Sequence, residues 1–467
     1  MKKILLLHAS FMDYSFDNEW KENESLSPPL GLLYLASPLI KEGHEVTYVD
    51  LNVDKFAKEE FLKLLKEQEF LLITCYTGTI SNVLKIIKDA RKINPKLCII
   101  CGGPYCNMSE QLVAGSDLTC IGEAESYIAT IIKKITLKKP LNLPGLIYKK
   151  NGKIMRNPGI MKCKDLNQSL FPSLELSKNK NYGYISGIKL NIASIISSRG
   201  CPFDCKYCTH RGRIVYRQRS VDNVIMEIKQ RVAEGYEYLF FGDDNFLLSK
   251  RRAMEIMDRI IKEKIRIKMI MQGRVDRADY ELYKKLKKAG VIMIMFGIES
   301  VNQDVLDYYN KRTTVKQEID AITIADKVGI ITFGYLMIGA PIEKMEHFEN
   351  TKKFFDKYPW DIMLNGLLYY LKGSKLWEEA HKKGLIKNNE YSVMTDKRFS
   401  NFSQKELFKI KNDLTYYFYK NPKRIMRIFF KLIKNGQTGL IINVFLTGKY
   451  KKLIEFMKAP YDLTQRK

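Results

Sequence analysis

The stretch Ile192-Ala-Ser-Ile-Ile-Ser-Ser198-Arg-Gly-Cys201-Pro-Phe-Asp-Cys205-Lys-Tyr-Cys208-Thr-His210 decides how the chain is read. Its first seven residues form a β-branched run that reads as a buried strand, so the cysteine loop leaves a strand's C-terminal end. The CxxxCxxC spacing lets one short loop supply three thiolates, from Cys201, Cys205 and Cys208, to a cubane iron–sulfur cluster. The fourth iron then receives no ligand from the loop. Cluster proteins that only carry electrons generally use four cysteines, whereas an iron with an open position can bind a substrate or cofactor. The spacing therefore points to chemistry at the cluster. The competing readings are a structural zinc site and an idle group of thiols. Zinc sites usually pair two short Cys/His clusters, and no second pair follows at zinc-finger distance. His210 stands too close to Cys208 for an ordinary zinc ribbon.

Working outward, Ile192–Ser198, Tyr238–Phe241, Ile267–Met271, Val291–Phe296, Ile331–Ile338 and Ile362–Tyr370 read as strands, with helical patterns such as Val221–Glu234 and Arg251–Glu263 between them. Six βα units are too few to close an eight-stranded barrel, so residues 191–390 are expected to form a partial (β/α)6 barrel. Residues 1–140 alternate strands (Ile4–Leu7, Glu45–Val49, Phe70–Cys75, Lys96–Cys101, Leu118–Ile121) with helices such as Leu30–Glu42 and Ile80–Ile93. That alternation implies an α/β, Rossmann-like domain with a parallel sheet. Residues 141–190 read as a linker with a hairpin turning at Asn151-Gly152. Residues 391–467 read as a helical, aromatic and basic C-terminal region.

Each barrel strand ends in polar or glycine residues, at the edge where α/β proteins keep their sites. Phe240-Phe-Gly-Asp-Asp-Asn-Phe246 sets Asp243 and Asp244 beside a glycine, and either could instead cap the next helix. Gln272-Gly-Arg274, Phe296-Gly-Ile-Glu-Ser300 and Met337-Ile-Gly-Ala-Pro341 end the next three strands, and Gly373-Ser-Lys-Leu-Trp377 follows the last. In order and at strand ends, with the aromatic Tyr207 before the last cysteine, these elements resemble the radical S-adenosylmethionine (SAM) superfamily. The resemblance implies a [4Fe-4S] cluster whose unique iron is chelated by SAM. It also implies reductive cleavage to a 5′-deoxyadenosyl radical, anaerobic handling, and an electron donor such as flavodoxin or ferredoxin. By the same resemblance Asp243 and Asp244 occupy the position that binds SAM's amino group, and strand alternation lets one of them face it. Arg274 suits a bidentate grip on SAM's carboxylate, against a plain surface ion pair. Glu299 would take the ribose hydroxyls, and Gly339 would let backbone approach adenine. The family's usual GGE is absent. The Asp-Asp form resembles the subgroup that also carries an N-terminal cobalamin domain.

Four loops at strand ends of the first domain, Ser27-Pro-Pro-Leu-Gly31, Thr74-Cys-Tyr-Thr-Gly78, Cys101-Gly-Gly-Pro104 and Ile121-Gly-Glu-Ala-Glu125, suit tight turns in any doubly wound fold. As a set they resemble a cobalamin-binding domain. Gly102, Gly103, Gly122 and Glu123 would then line the nucleotide-tail pocket, and Thr74, Tyr76 and Thr77 would face the corrin. No Asp-x-His-x-x-Gly string is present to ligate cobalt, which leaves room for a domain that has lost the cofactor. Cys98, Cys101, Cys106 and Cys120 read as buried free thiols.

Nine cysteines in 467 residues do not form a disulfide scaffold, and thiolates on a cluster need a reducing compartment. The N-terminal apolar run is too short for a signal peptide, no stretch reaches bilayer length, and the expected location is the cytoplasm. The net charge of +26 is uneven, with 15 Lys/Arg against 4 Asp/Glu after Phe402. In Asn421–Lys434 the apolar residues Ile425, Met426, Ile428, Phe429, Phe430, Leu432 and Ile433 fill one helical arc, and the cations fill the other. Either this helix packs on the barrel with its basic arc solvated, or it lies peripherally on an anionic membrane with Phe429 and Phe430 inserted. Gly439–Leu446 adds apolar residues. No basic groove interleaved with aromatics supports nucleic acid. The reading is a cobalamin-dependent methyltransferase acting on an unactivated carbon of a small-molecule or lipid-like substrate. A non-methylating oxidation or cyclisation, or an RNA-modifying enzyme, are the alternatives.

Overall fold

A computed structural model describes residues 1–11, 25–185, 188–209 and 215–439. His210 and most of Gly439–Leu446 lie outside the described residues. The chain divides into two compact units, Met1–Tyr184 and Ile185–Lys467.

In the first unit the strands Lys3–His8, Glu45–Asp50, Phe70–Thr74, Cys98–Gly102 and Leu118–Cys120 pair in parallel. Their spatial order is second, first, third, fourth, fifth. This is a doubly wound sheet whose order reverses between the first and third strands, where such folds open a ligand crevice. The central strands Ile4–Leu7 and Phe70–Ile73 are buried on both faces, as sheets covered by helices require. The hairpin turning at Asn151 is not a free linker. Its strand Leu146–Lys150 pairs antiparallel with Leu118–Cys120 and extends the sheet, because Leu146 and Ile147 are apolar enough to cover that edge.

In the second unit Ile192–Ile195, Tyr238–Phe241, Lys268–Gly273, Val291–Glu299, Ile331–Ile338 and Ile362–Leu367 form one parallel sheet in sequential order. Sequential order with a helix after each strand is the winding of an open (β/α)6 barrel. Its strands are near-continuous apolar runs, Tyr238–Phe241 and Val291–Phe296 being buried throughout. The helix Gln404–Tyr419 packs on the sixth strand.

The helix Pro422–Lys434 departs from the expectation of a solvated basic arc. Arg424 and Lys431 are only 3% and 5% exposed, whereas Met426 and Phe430 are 57% and 54% exposed. The reason lies in what the helix covers. Arg424 donates to the carbonyls of Trp360 and Phe355, and Arg427 and Lys431 reach the fully buried carboxylate of Asp361 at 2.9 and 2.7 Å. The underlying surface is polar and negative, so Arg424, Arg427 and Lys431 turn inward and the apolar arc turns out, with Lys423 and Lys434 left exposed. Among the described residues no helix is long and apolar enough to cross a membrane.

Candidate active site

The cysteine loop begins where the first barrel strand stops, and a buried polar brace fixes that exit. Asp243, at the end of the second strand, accepts hydrogen bonds from the backbone N–H and hydroxyl of Ser197 at 2.7 and 2.6 Å and from the hydroxyl of Ser198. Arg252 clamps Ser197 from the other side through its hydroxyl and carbonyl. Burial pushes the Asp243 carboxyl up, against the pull of those hydrogen bonds. The two aspartates thus divide by alternation. Asp243 faces inward and is spent on the brace, while Asp244 is exposed and within electrostatic reach of Cys201. Of the two aspartates only Asp244 is exposed at the strand's end, while Asp243 is held in its buried hydrogen bonds.

The three cysteines lie on one short loop. Cys205 is buried and Cys201 and Cys208 are half-buried, with the Cys208 N–H donating to the Cys205 carbonyl at 3.1 Å. The loop is pinned to its surroundings by Lys206 N–H donating to the Tyr309 carbonyl and by Arg312 pairing with Asp204. No three His, Cys, Asp or Glu side chains among the described residues converge on a single metal-sized point. A cubane does not ask this, since its thiolates bind separate irons.

Arg274 follows the third strand and is buried against this loop. Its guanidinium stacks on the Phe203 ring at 3.6 Å, and Nη1 points at the Cys205 sulfur from 3.9 Å. Its other nitrogens bind Asp276 and the Lys311 carbonyl. Three of its five N–H donors are used within the protein, and the arginine lies beside the three-cysteine loop.

Glu299 ends the fourth strand with a φ of +68°, a left-handed conformation that a non-glycine residue adopts only under constraint. The constraint is visible. Its Oε1 accepts from the Tyr207 hydroxyl and from Lys311 Nζ, both at 3.0 Å, and Lys311 also donates to the Tyr207 oxygen. Gly297 makes room for this cluster: a Cβ there would stand 2.5 Å from the Glu299 carboxylate. Glu318 lies fully buried nearby with no hydrogen-bond partner. Burial pushes its carboxyl well up, and Lys311 and Glu299 act on it electrostatically. Asn245, at the second strand's end, is 1% exposed and both its amide atoms lack partners.

Gly339 does not present open backbone. A Cβ there would meet Thr395 at 2.3 Å, its carbonyl accepts from the Thr395 hydroxyl, and its N–H donates to Glu343. The space that a Cβ would take at Gly339 is filled by Thr395. Lys311, Asn245 and Glu343 carried no sequence signal, because each stands in a loop or turn away from the cysteine motif.

In the first unit the strand ends gather the expected loops at the crevice. Tyr76 packs on the ring of His8 at 5.4 Å, hydrogen-bonds Thr74, and is pushed up chiefly by burial. His8 pairs with the buried Asp50, which accepts from Tyr182, itself bonded to Tyr48. Gly103 packs against Thr74 and Cys75, and Gly102 accepts from the Cys75 N–H. Thr77 is half-exposed beside them. Gly122 is closed over by Met161, whose oxygen would lie 2.0 Å from a Cβ, and the Glu123 carboxylate accepts from the Cys163 N–H. Gly122 and Glu123 are thus partly taken up by the chain that follows the hairpin. Cys101 hydrogen-bonds Cys75, and that bond and burial push its thiol well up.

The fold is an open (β/α)6 barrel with a three-cysteine loop at the end of its first strand, in one chain with a doubly wound domain. The family model described as the radical SAM superfamily matches residues 195–355, and that of the B12 binding domain matches residues 22–132. A B12-binding-domain match thus precedes a radical SAM match in one chain. It is 29% identical to an uncharacterized methyltransferase of Pyrococcus horikoshii, over 89% of this chain and 93% of that one. It is 26% identical to the anaerobic magnesium-protoporphyrin IX monomethyl ester cyclase of Cereibacter sphaeroides, over 72% of this chain and 56% of that one. The solved structure of the radical SAM methyltransferase TsrM from Kitasatospora setae, with cobalamin and a [4Fe-4S] cluster bound, shares the fold at a TM-score of 0.65. It is 17% identical, over 82% of this chain and 75% of that one.

Proposed function

We propose that the protein is a cobalamin-dependent radical SAM methyltransferase that places a methyl group on an unactivated carbon. The observation that carries this is the loop of Cys201, Cys205 and Cys208 lying against Arg274, in one chain with a B12-binding domain. The donor set fits a [4Fe-4S] cluster, with three thiols on one loop, a cation beside the buried one, and an exposed Asp244 within electrostatic reach of Cys201. Bound there, the cluster and SAM supply radical hydrogen abstraction, and cobalamin supplies the methyl group. The chain's own part is positioning. Asp244 holds an ammonium group, and Glu299, kept in place by Lys311 and Tyr207, offers a carboxylate to ribose hydroxyls. Thr74, Tyr76 and Thr77 pack the corrin, with Gly102 and Gly103 beside its tail. The substrate is a small molecule or a lipid-like one, and a flavodoxin or ferredoxin supplies the electron.

The test is anaerobic reconstitution with iron, sulfide and cobalt counted per chain. Four irons and one cobalt are expected, with S-adenosylhomocysteine among the products. Cys205→Ala should abolish SAM cleavage, and persistent cleavage would contradict the assignment. A second reading, oxidation or cyclisation without methyl transfer, is favoured by the likeness to the cyclase. Deoxyadenosine without S-adenosylhomocysteine would select it.

A further inference from the structure

The helix Pro422–Lys434 is anchored through the side that ordinarily faces water. Arg424, Arg427 and Lys431 are fastened to barrel carbonyls and to Asp361, so the outward apolar arc is enforced by the fold. Ile425, Met426, Phe429, Phe430 and Ile433 are all exposed along it. A contiguous apolar strip of this kind marks an interaction site. Beside Met426 and Phe430 opens a pocket of about 570 Å³ lined also by Lys287, Lys327, Lys423 and Lys434. Lys327, Lys423 and Lys434 are exposed, and none pairs with a carboxylate among the described residues.

We infer that this face is a docking surface for an anionic lipid bilayer. Hydrocarbon takes the rings of Phe429 and Phe430, and lipid phosphates take the lysines at the rim. Charge decides among the possible occupants. The segment Leu440–Lys467 carries six Lys/Arg against two Asp/Glu, the same sign as that rim and so no complement to it. A second copy of the chain, meeting face to face, would set the same lysines against each other. Nucleic acid offers negative charge but no apolar layer for two phenylalanines. An anionic membrane supplies both. The inference stands apart from the cofactor assignment, since none of these residues belongs to the candidate active site.

The experiment is flotation of the full-length, reconstituted chain with vesicles of phosphatidylcholine alone or mixed with phosphatidylglycerol. Binding is expected to the mixed vesicles and should weaken as salt is raised. Phe429→Ser/Phe430→Ser should lower partitioning roughly tenfold or more, from the lost burial of two rings. Lys423→Glu/Lys434→Glu should lower it as well, with iron content unchanged in both. Phe430→Trp should be quenched by lipids brominated on the acyl chain. A wild-type chain that ignores anionic vesicles overturns the inference. So does a Phe429→Ser/Phe430→Ser chain that still floats, or a Phe430→Trp chain that is unquenched because the tail, a second copy or RNA covers the face.

Discussion

Arg274 directs Nη1 at the Sγ of Cys205 from 3.9 Å, with its guanidinium held flat on the ring of Phe203. A cation donating to a cluster thiolate stabilises the more negative, reduced cluster and so raises its potential. A charge-assisted hydrogen bond contributes about 1.5 kcal/mol, which for one electron is about 60 mV. Arg274→Gln is therefore expected to lower the midpoint potential of the [4Fe-4S] couple by roughly that amount, read by potentiometric EPR. Arg274→Lys should recover part of it. An unchanged potential in Arg274→Gln would make the arginine purely a packing residue.

Lys311 and Glu299 form a buried pair shared with the Tyr207 hydroxyl. Removing one partner of such a pair leaves an uncompensated charge and costs about 3 kcal/mol, whereas removing both costs less. Lys311→Met should therefore lower stability in denaturant titration by about that much, and Lys311→Met/Glu299→Gln should regain part of the loss. Additive losses would show that the two side chains do not act as a pair.

Glu343 supplies a pH dependence. Burial raises its carboxyl to about 7, although the N–H groups of Gly339 and Ala340 both donate to it. The folded chain therefore binds this proton more tightly than the unfolded one. Stability from this group falls as pH rises from the ordinary glutamate value toward about 7 and is level above it. Relative to wild type, Glu343→Gln should be more stable by about 3 kcal/mol at slightly alkaline pH, with the difference vanishing at about pH 4. Chemical denaturation at both pH values checks it, and a difference that does not change with pH would exclude ionisation of Glu343 as its cause.

The strand ends were legible because parallel strands buried on both faces read as apolar runs that stop at polar residues. The cysteine loop, Arg274 and Glu299 could be located in that way. What stayed hidden depends on the third dimension. Alternation says that Asp243 and Asp244 face opposite ways, but only the positions of Ser197 and Arg252 decide that Asp243 is the one buried. Lys311 comes twelve residues after Glu299, in a loop with no periodic signal, and meets it only when the chain folds back. The helix Pro422–Lys434 showed both arcs in its letters. Which arc faces the protein was set by carbonyls at the barrel's end that no local pattern records.

Asp361 holds that helix in its inverted pose. Its carboxylate is fully buried and accepts from the Thr332 N–H at 2.9 Å, from Arg427 and from Lys431. Asp361→Asn keeps the shape and removes the charge, leaving Lys431 buried beside Asp326, its remaining acid partner. Breaking a buried ion pair on one side costs about 3 kcal/mol, more than the packing of a helix whose apolar arc faces outward can easily offset. The helix is then expected to detach before the barrel unfolds. Limited trypsin digestion should cut Asp361→Asn at Arg424, Arg427 or Lys431 under conditions where wild type survives. Hydrogen exchange in Pro422–Lys434 should speed up while Val291–Glu299 keeps its protection. Equal protection of the helix in both proteins would mean that the carbonyl contacts of Arg424 suffice to hold it.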